Sequence, residues 1–220
     1  MEPLRFAAAG QHLVAGRAGL MQVVVDLPAL PPTGLAVVTH PQPLLGGSAM
    51  HKLPHFLARA LSGEGWLAAR PNFRGVGQSA GTHDEGRGES DDTLALCQAL
   101  RAGYPGLPLL LVGFSFGAYV HALVARRLAD RGEPAWRTFL AGMPYGLVPA
   151  GRSYGTPRGL PDAWVVHGEQ DEVVPVANVF DWARPDAQPV VVVPGADHFF
   201  TGKLPLLRDM LLAHAGIKVR

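Results

Sequence analysis

The sequence predicts a single domain in which helices cover both faces of a mostly parallel sheet, a three-layer α/β sandwich. Short apolar segments alternate with helix-like segments along the chain, which is typical of doubly wound α/β folds. The apolar segments are continuous rather than alternating in hydropathy, as in parallel strands that are buried on both faces. The 220 residues, 48% hydrophobic and 17% charged, suffice for one full core over residues 1–220.

Seven short segments are apolar and mostly rich in β-branched residues and therefore predict strands: residues 21–25, 35–39, 66–69, 109–112, 138–143, 163–166 and 190–193. Helices are predicted between them at residues 48–61, 90–101 and 116–130, with a fourth opened by Pro175 and a fifth opened by Pro205 that runs to His214. Proline is tolerated at these starts because the first turn of a helix has no hydrogen bond to lose.

Composition excludes several classes of function. Lys plus Arg (19) against Asp plus Glu (18) leaves a net charge of +1, without the basic excess of a nucleic-acid-binding protein. A single cysteine cannot form an internal disulfide, and no apolar run reaches the length of a membrane span. We therefore expect a cytoplasmic protein without nucleic-acid or membrane partners, present as a monomer or small homo-oligomer. No metal or cofactor is expected, since the nine histidines show no ligand spacing.

The pattern Gly-x-Ser-x-Gly occurs three times, around Ser79, Ser115 and Ser153. A nucleophilic serine of this type lies in a sharp turn between a strand and a helix. Only the match at residues 113–117 (GFSFG) follows a predicted strand and precedes a predicted helix. The context therefore predicts Ser115 as a catalytic nucleophile and the other two serines as loop residues.

A serine nucleophile needs a histidine as base and a carboxylate that orients the histidine. In this strand–turn–helix arrangement both follow the serine in the order acid, histidine. His198 comes directly after the last strand and is preferred to His167 and His214. Of four candidate acids, Asp171 lies far enough beyond its strand to turn toward His198. Glu169, Glu172 and Asp197 are the alternatives.

The negative charge that develops on the substrate oxygen needs two backbone N–H donors, an oxyanion hole. Phe116, the residue after the nucleophile, is one expected donor, and the loop after the strand at 35–39 supplies the other. That loop reads HPQPLLGG over residues 40–47. Pro41 and Pro43 have no N–H, so Gln42 is the first available donor and Leu44 is the alternative.

With these residues assigned, the chain resembles the α/β-hydrolase superfamily. It is most similar to small bacterial hydrolases with an HPHPxxGG loop and an RGxGxS loop, near the carboxylesterases and dienelactone hydrolases. The resemblance covers residues 40–47, 72–79, 113–117, 167–175 and 195–198. Gln42 replaces the usual second histidine of the loop. Dienelactone hydrolases use a cysteine nucleophile, so Ser115 argues against that activity.

The resemblance implies a serine hydrolase that acts on small carboxylic esters through an acyl-enzyme. A thioesterase or peptidase with the same three residues, and a non-catalytic binding protein on this fold, are the alternatives. Many members of the superfamily insert a helical cap after the sixth strand, but residues 145–162 are too few for one. We therefore expect no cap domain and an open, shallow site.

Overall fold

The computed structural model describes residues 2–160 and 162–217. Its strands are β1 (Gly10–Gly16), β2 (Gly19–Asp26), β3 (Gly34–Thr39), β4 (Trp66–Pro71), β5 (Leu109–Phe114), β6 (Arg137–Ala141), β7 (Gly146–Leu147), β8 (Ser153–Tyr154), β9 (Ala163–Gly168) and β10 (Val190–Val193). Its α-helices are α1 (Lys52–Gly63), α2 (Arg87–Gly103), α3 (Phe116–Asp130), α4 (Val176–Ala183) and α5 (Leu204–His214).

Eight strands form one central sheet in the order β1-β2-β4-β3-β5-β6-β9-β10. The first two strands are antiparallel to each other, and β2 is antiparallel to β4. All further pairings in this sheet are parallel. The predicted fold class, with a mostly parallel sheet, is therefore confirmed.

The sheet is packed on both faces because successive residues of each buried strand point to opposite sides. In β3, Ala36 and Val38 join the core under α1 and α5, whereas Leu35 and Val37 join the core under α2 and α3. A further apolar cluster lies under α4 and includes the buried Trp182. This arrangement gives the three layers that the sequence predicts.

Several boundaries differ from the sequence-based expectation. The edge strand β1 is not predicted, because its residues are mixed in polarity and mostly exposed. Helix α1 begins at Lys52 rather than at residue 48, since His51 caps it by accepting the Leu53 N–H at Nδ1. Helix α2 begins at Arg87 rather than at residue 90, because the buried Glu89 carboxylate accepts the N–H of Gly86 just before the helix.

The segment after β6 carries no helical cap in its described part, residues 142–160 and 162. It contains instead the short antiparallel hairpin of β7 and β8. No helix within the described residues is both long and apolar enough to cross a membrane.

Candidate active site

Ser115 lies in the tight turn between β5 and α3 with φ 55° and ψ −124°. A non-glycine residue with such a backbone stores about 1–3 kcal/mol of strain. The flanking glycines permit the turn by close approach, since a Cβ on Gly113 would lie 2.5 Å from the Ala118 Cα and one on Gly117 would lie 2.7 Å from the His40 carbonyl oxygen. The turn aims the Ser115 side chain at the carboxyl edge of the sheet, as the sequence predicts.

The structure brings Ser115, His198 and Asp171 into one chain of contacts. Ser115 Oγ lies 2.9 Å from His198 Nε2, and His198 Nδ1 lies 2.7 Å from Asp171 Oδ2. His198 is 3% exposed and Asp171 is 5% exposed, so water competes little for these contacts. This geometry leaves Nε2 of the imidazole positioned to accept the serine proton.

The Asp171 carboxylate is held by its own loop. Its Oδ1 atom accepts the backbone N–H groups of Val173 at 3.0 Å and Val174 at 2.7 Å. On the other side, His167 Nε2 contacts the Val174 carbonyl oxygen at 2.8 Å and lies 3.2 Å from Asp171 Oδ2. Burial lowers the pKa of His167, so this imidazole is neutral near neutral pH and Nε2 carries the hydrogen that it donates.

The other candidate acids and bases lie outside this chain of contacts. Glu169 accepts the N–H of Gly195 at 2.7 Å, and Asp197 accepts the N–H of Thr201 at 2.8 Å. The pKa of Asp197 is lowered chiefly by that backbone hydrogen bond. Glu172 is exposed beside Asp171. His214, in α5, contacts the Thr138 carbonyl oxygen at 3.1 Å.

The other two serines of the repeated motif lie outside this chain of contacts. The Ser79 hydroxyl donates to the Asn72 carbonyl oxygen at 2.7 Å and accepts the N–H of Gln22 at 3.0 Å. Ser153 is exposed in β8. Cys97 is fully buried, which raises the pKa of its thiol to about 12 and makes it a poor nucleophile.

The backbone N–H groups of Gln42 and Phe116 have no hydrogen-bond acceptor among the described residues, and Gln42 lines the same cavity as Ser115. Phe116 is the first residue of α3, where N–H groups have no intrahelical acceptor. The alternative donor, Leu44, points its N–H at the Gln42 side-chain oxygen at 3.4 Å. The arrangement therefore favours Gln42 over Leu44 as the second donor.

A buried histidine supports the Gln42 peptide. His40 Nε2 accepts the N–H of Phe73 at 3.0 Å, which requires that Nδ1 carries the hydrogen and donates to the Pro41 carbonyl oxygen at 2.8 Å. Burial lowers the pKa of His40 to about 3, so the ring is neutral. Because a trans peptide is planar with C=O and N–H opposed, fixing the Pro41 carbonyl also fixes the direction of the Gln42 N–H.

A cavity of about 220 Å³ opens onto Ser115 and His198. Among the phenylalanine side chains near Ser115 and His198, Phe199 lines this cavity. Phe114, Phe200 and Met143 are buried in the core instead. Phe116 lines a neighbouring pocket. Tyr145 lines neither the cavity nor that pocket.

The hairpin of β7 and β8 forms one wall of the cavity through Val148, Ala150, Arg152 and Tyr154. The cavity therefore has a wall made by this hairpin, although no helical cap is present in the described part of the segment. His51 also lines the cavity, and its ring centroid lies 5.9 Å from that of Phe114 and 6.0 Å from that of Phe199. Sequence reasoning missed these lining residues because a two-residue strand and a capping histidine carry no periodic signal.

A second, more polar pocket of about 540 Å³ adjoins the cavity. Gln42, Arg152 and Tyr154 line both. Within the described residues, no three histidine, cysteine, aspartate or glutamate side chains converge as metal ligands.

Solved structures similar to this chain include α/β serine hydrolases, which agrees with the geometry of the site. A crystal structure of an α/β serine hydrolase without a lid, from Xanthomonas campestris, is 33% identical, with a TM-score of 0.85 over 100% of both chains. An α/β serine hydrolase homologue from Coxiella burnetii is 31% identical, with a TM-score of 0.81 over 95% of this chain and 99% of that one. An uncharacterised protein of Rickettsia prowazekii is 33% identical over 184 residues, 79% of this chain and 74% of its own. No protein-family model matches the chain.

Proposed function

Because the chain belongs to the α/β-hydrolase superfamily, beside serine hydrolases that lack a lid, we propose that it hydrolyses carboxylic esters with Ser115 as the nucleophile. The observation that carries the proposal is the unbroken chain of contacts from Ser115 Oγ through both ring nitrogens of His198 to Asp171. Such a chain raises the nucleophilicity of a serine that is otherwise a weak nucleophile.

In the proposed acylation step, Ser115 Oγ attacks the ester carbonyl carbon while its proton passes to His198 Nε2. The carbonyl oxygen becomes an oxyanion that accepts hydrogen bonds from the N–H groups of Gln42 and Phe116. Asp171 keeps the imidazole in the tautomer with hydrogen on Nδ1 and stabilises the imidazolium. Collapse of the intermediate breaks the bond to the alcohol oxygen, which leaves with the proton from Nε2.

In the proposed deacylation step, a water molecule attacks the acyl-enzyme and gives a proton to His198 Nε2. The second tetrahedral intermediate then releases the carboxylic acid, and the proton on Nε2 returns to Ser115 Oγ. Besides the ester and the water molecule, the two steps use only groups of the protein, and the free enzyme is regenerated.

Labelling with a fluorophosphonate probe tests the nucleophile. We expect the intact protein to be labelled once, at Ser115, and the Ser115→Ala variant to remain unlabelled. Failure of the intact protein to react, or labelling that persists in the variant, would overturn the proposal and favour a binding protein on this fold.

A substrate panel tests the bond that is cleaved. We expect turnover of p-nitrophenyl esters to exceed that of acyl thioesters and peptides in kcat/KM. Faster turnover of thioesters or peptides would assign the same three residues to a thioesterase or a peptidase.

A further inference from the structure

Arg152 is a half-buried cation at the border of the proposed catalytic cavity. It directly precedes β8, and its carbonyl oxygen accepts the N–H of Val148 at 2.8 Å, which closes the hairpin loop. Its side chain lines both the cavity and the adjoining polar pocket. Among the described residues, the guanidinium has no ion-pair or hydrogen-bond partner; Arg17 and Arg131 share this property, but both are exposed.

The charge of Arg152 is not balanced within the cavity. No carboxylate of the described chain lines it. His51 also lines the cavity, and burial lowers its pKa, so its ring is neutral near neutral pH. In the adjoining polar pocket, Arg87 is paired with Asp84 at 3.1 Å and Glu85 is the lining carboxylate, but among the described residues no ion pair joins Glu85 to Arg152. Arg152 therefore has no counter-charge among the described residues that line the apolar cavity.

Tyr154 adds a second unused donor at the same place. Its hydroxyl oxygen lies 3.4 Å from Gln42 Nε2, which donates to it. The hydroxyl hydrogen has no acceptor among the described residues, and burial raises the pKa of this phenol, so the hydrogen is retained. A guanidinium and a hydroxyl that both line the cavity and both lack an acceptor match the donor requirement of one carboxylate.

We propose that Arg152 and Tyr154 form an anion-binding subsite and that the preferred substrate is an ester that carries a free carboxylate away from the scissile bond, such as a monoester of a short dicarboxylic acid. This inference rests on the proposed ester hydrolysis. A partly desolvated guanidinium without a counter-ion is unfavourable, and a carboxylate on the substrate would restore the missing partner. A single positive charge favours a carboxylate over a doubly charged phosphate.

The test compares two esters that differ in one charge. Mono-p-nitrophenyl glutarate carries the free carboxylate, and methyl p-nitrophenyl glutarate has it blocked. Hydrolysis measured with Ser115→Ala is subtracted as the non-enzymatic background. For the wild-type protein we expect kcat/KM to be about 10- to 100-fold higher for the anionic ester, as for a hydrogen-bonded charge pair.

Substitutions then test whether Arg152 and Tyr154 cause the preference for the anionic ester. Arg152→Gln should reduce the ratio of the two kcat/KM values at least about 10-fold, through KM of the anionic ester, and Arg152→Lys should restore part of it. Tyr154→Phe should reduce the ratio less. Arg158→Gln is the matched control, because Arg158 lies six residues away, is exposed and lines neither pocket.

The outcomes separate the two proposals. Turnover of the neutral ester that depends on Ser115 supports ester hydrolysis whatever the charge preference. Equal rates for both esters, or equal losses for both in Arg152→Gln, overturn the anion subsite alone. Absence of Ser115-dependent turnover of either ester overturns the proposed function and this inference with it.

Discussion

His167 Nε2 lies 3.2 Å from Asp171 Oδ2, the same oxygen that His198 Nδ1 contacts at 2.7 Å. The His167 ring is fully buried at the end of β9 and also donates to the Val174 carbonyl oxygen. It therefore joins the strand end to the loop that presents Asp171. Because its Nε2 hydrogen is donated to Val174, the neutral His167 ring lies beside the carboxylate without neutralising it, and Asp171 Oδ2 keeps its contact with His198 Nδ1.

Replacing His167 should affect turnover more than substrate binding. We expect His167→Leu to lower kcat about 10-fold with little change in KM, because the loop that presents Asp171 loses the hydrogen bond from His167 Nε2 to the Val174 carbonyl oxygen. His167→Gln keeps a donor near the position of Nε2 and should recover part of kcat. Steady-state kinetics with a p-nitrophenyl ester measure this. If both variants are less stable in urea yet retain the wild-type kcat, His167 supports only the fold.

The backbone conformation of Ser115 should lower the free energy of unfolding, and a glycine at this position should restore part of it. Ser115→Gly and Ser115→Ala both remove the nucleophile, but glycine adopts φ 55° without steric strain. We expect Ser115→Gly to have a free energy of unfolding about 1 kcal/mol higher than Ser115→Ala, since about 1–3 kcal/mol of strain is relieved against about 0.5–1 kcal/mol of added chain entropy. Urea denaturation measures the difference. Equal stability of the two variants would mean that the turn is not strained.

The sequence predicts seven of the eight strands of the central sheet, the five helices and the turn at Ser115 because each has a strong local signal. Continuous apolar runs mark buried strands, and glycines at 113 and 117 mark a turn between a strand and a helix. The hairpin that carries Arg152 and Tyr154 has no such signal, since two-residue strands show no periodicity and their position depends on the rest of the site. The support of the Pro41 carbonyl by His40 is equally invisible, because it depends on the N–H of Phe73, 33 residues away.

Buried neutral histidines should make the protein less stable in acid. Burial lowers the pKa of His121 in α3 to about 3, whereas the unfolded value is about 6.5. Below pH 6.5 the unfolded chain binds a proton that the folded protein does not, so the free energy of unfolding falls as the pH drops toward 3. His121→Leu should reduce this slope by up to about 1.4 kcal/mol per pH unit in urea titrations between pH 6.5 and 4. Ser115→Ala, which keeps every histidine, should match the wild-type slope, and an unchanged slope in His121→Leu would contradict the expectation.

Two matched substitutions should separate the roles of the two ring nitrogens of His40. His40→Asn keeps a donor near Nδ1 for the Pro41 carbonyl oxygen but loses the acceptor for Phe73, and His40→Gln does the reverse. Each variant leaves one buried group unpaired, at a cost of about 1–3 kcal/mol, so their stabilities should be similar. Only His40→Gln frees the peptide whose N–H faces the proposed oxyanion.

We therefore expect kcat of His40→Gln to be about 10-fold below that of His40→Asn, with similar KM. This loss in kcat is smaller than the roughly 100- to 1,000-fold loss that follows removal of a whole oxyanion donor. Kinetics with one neutral p-nitrophenyl ester, beside urea denaturation of both variants, separate the two effects. Equal kcat values at equal stability would show that the Pro41 carbonyl does not govern the Gln42 N–H. A lower kcat for the asparagine variant would instead place the controlling contact at Phe73.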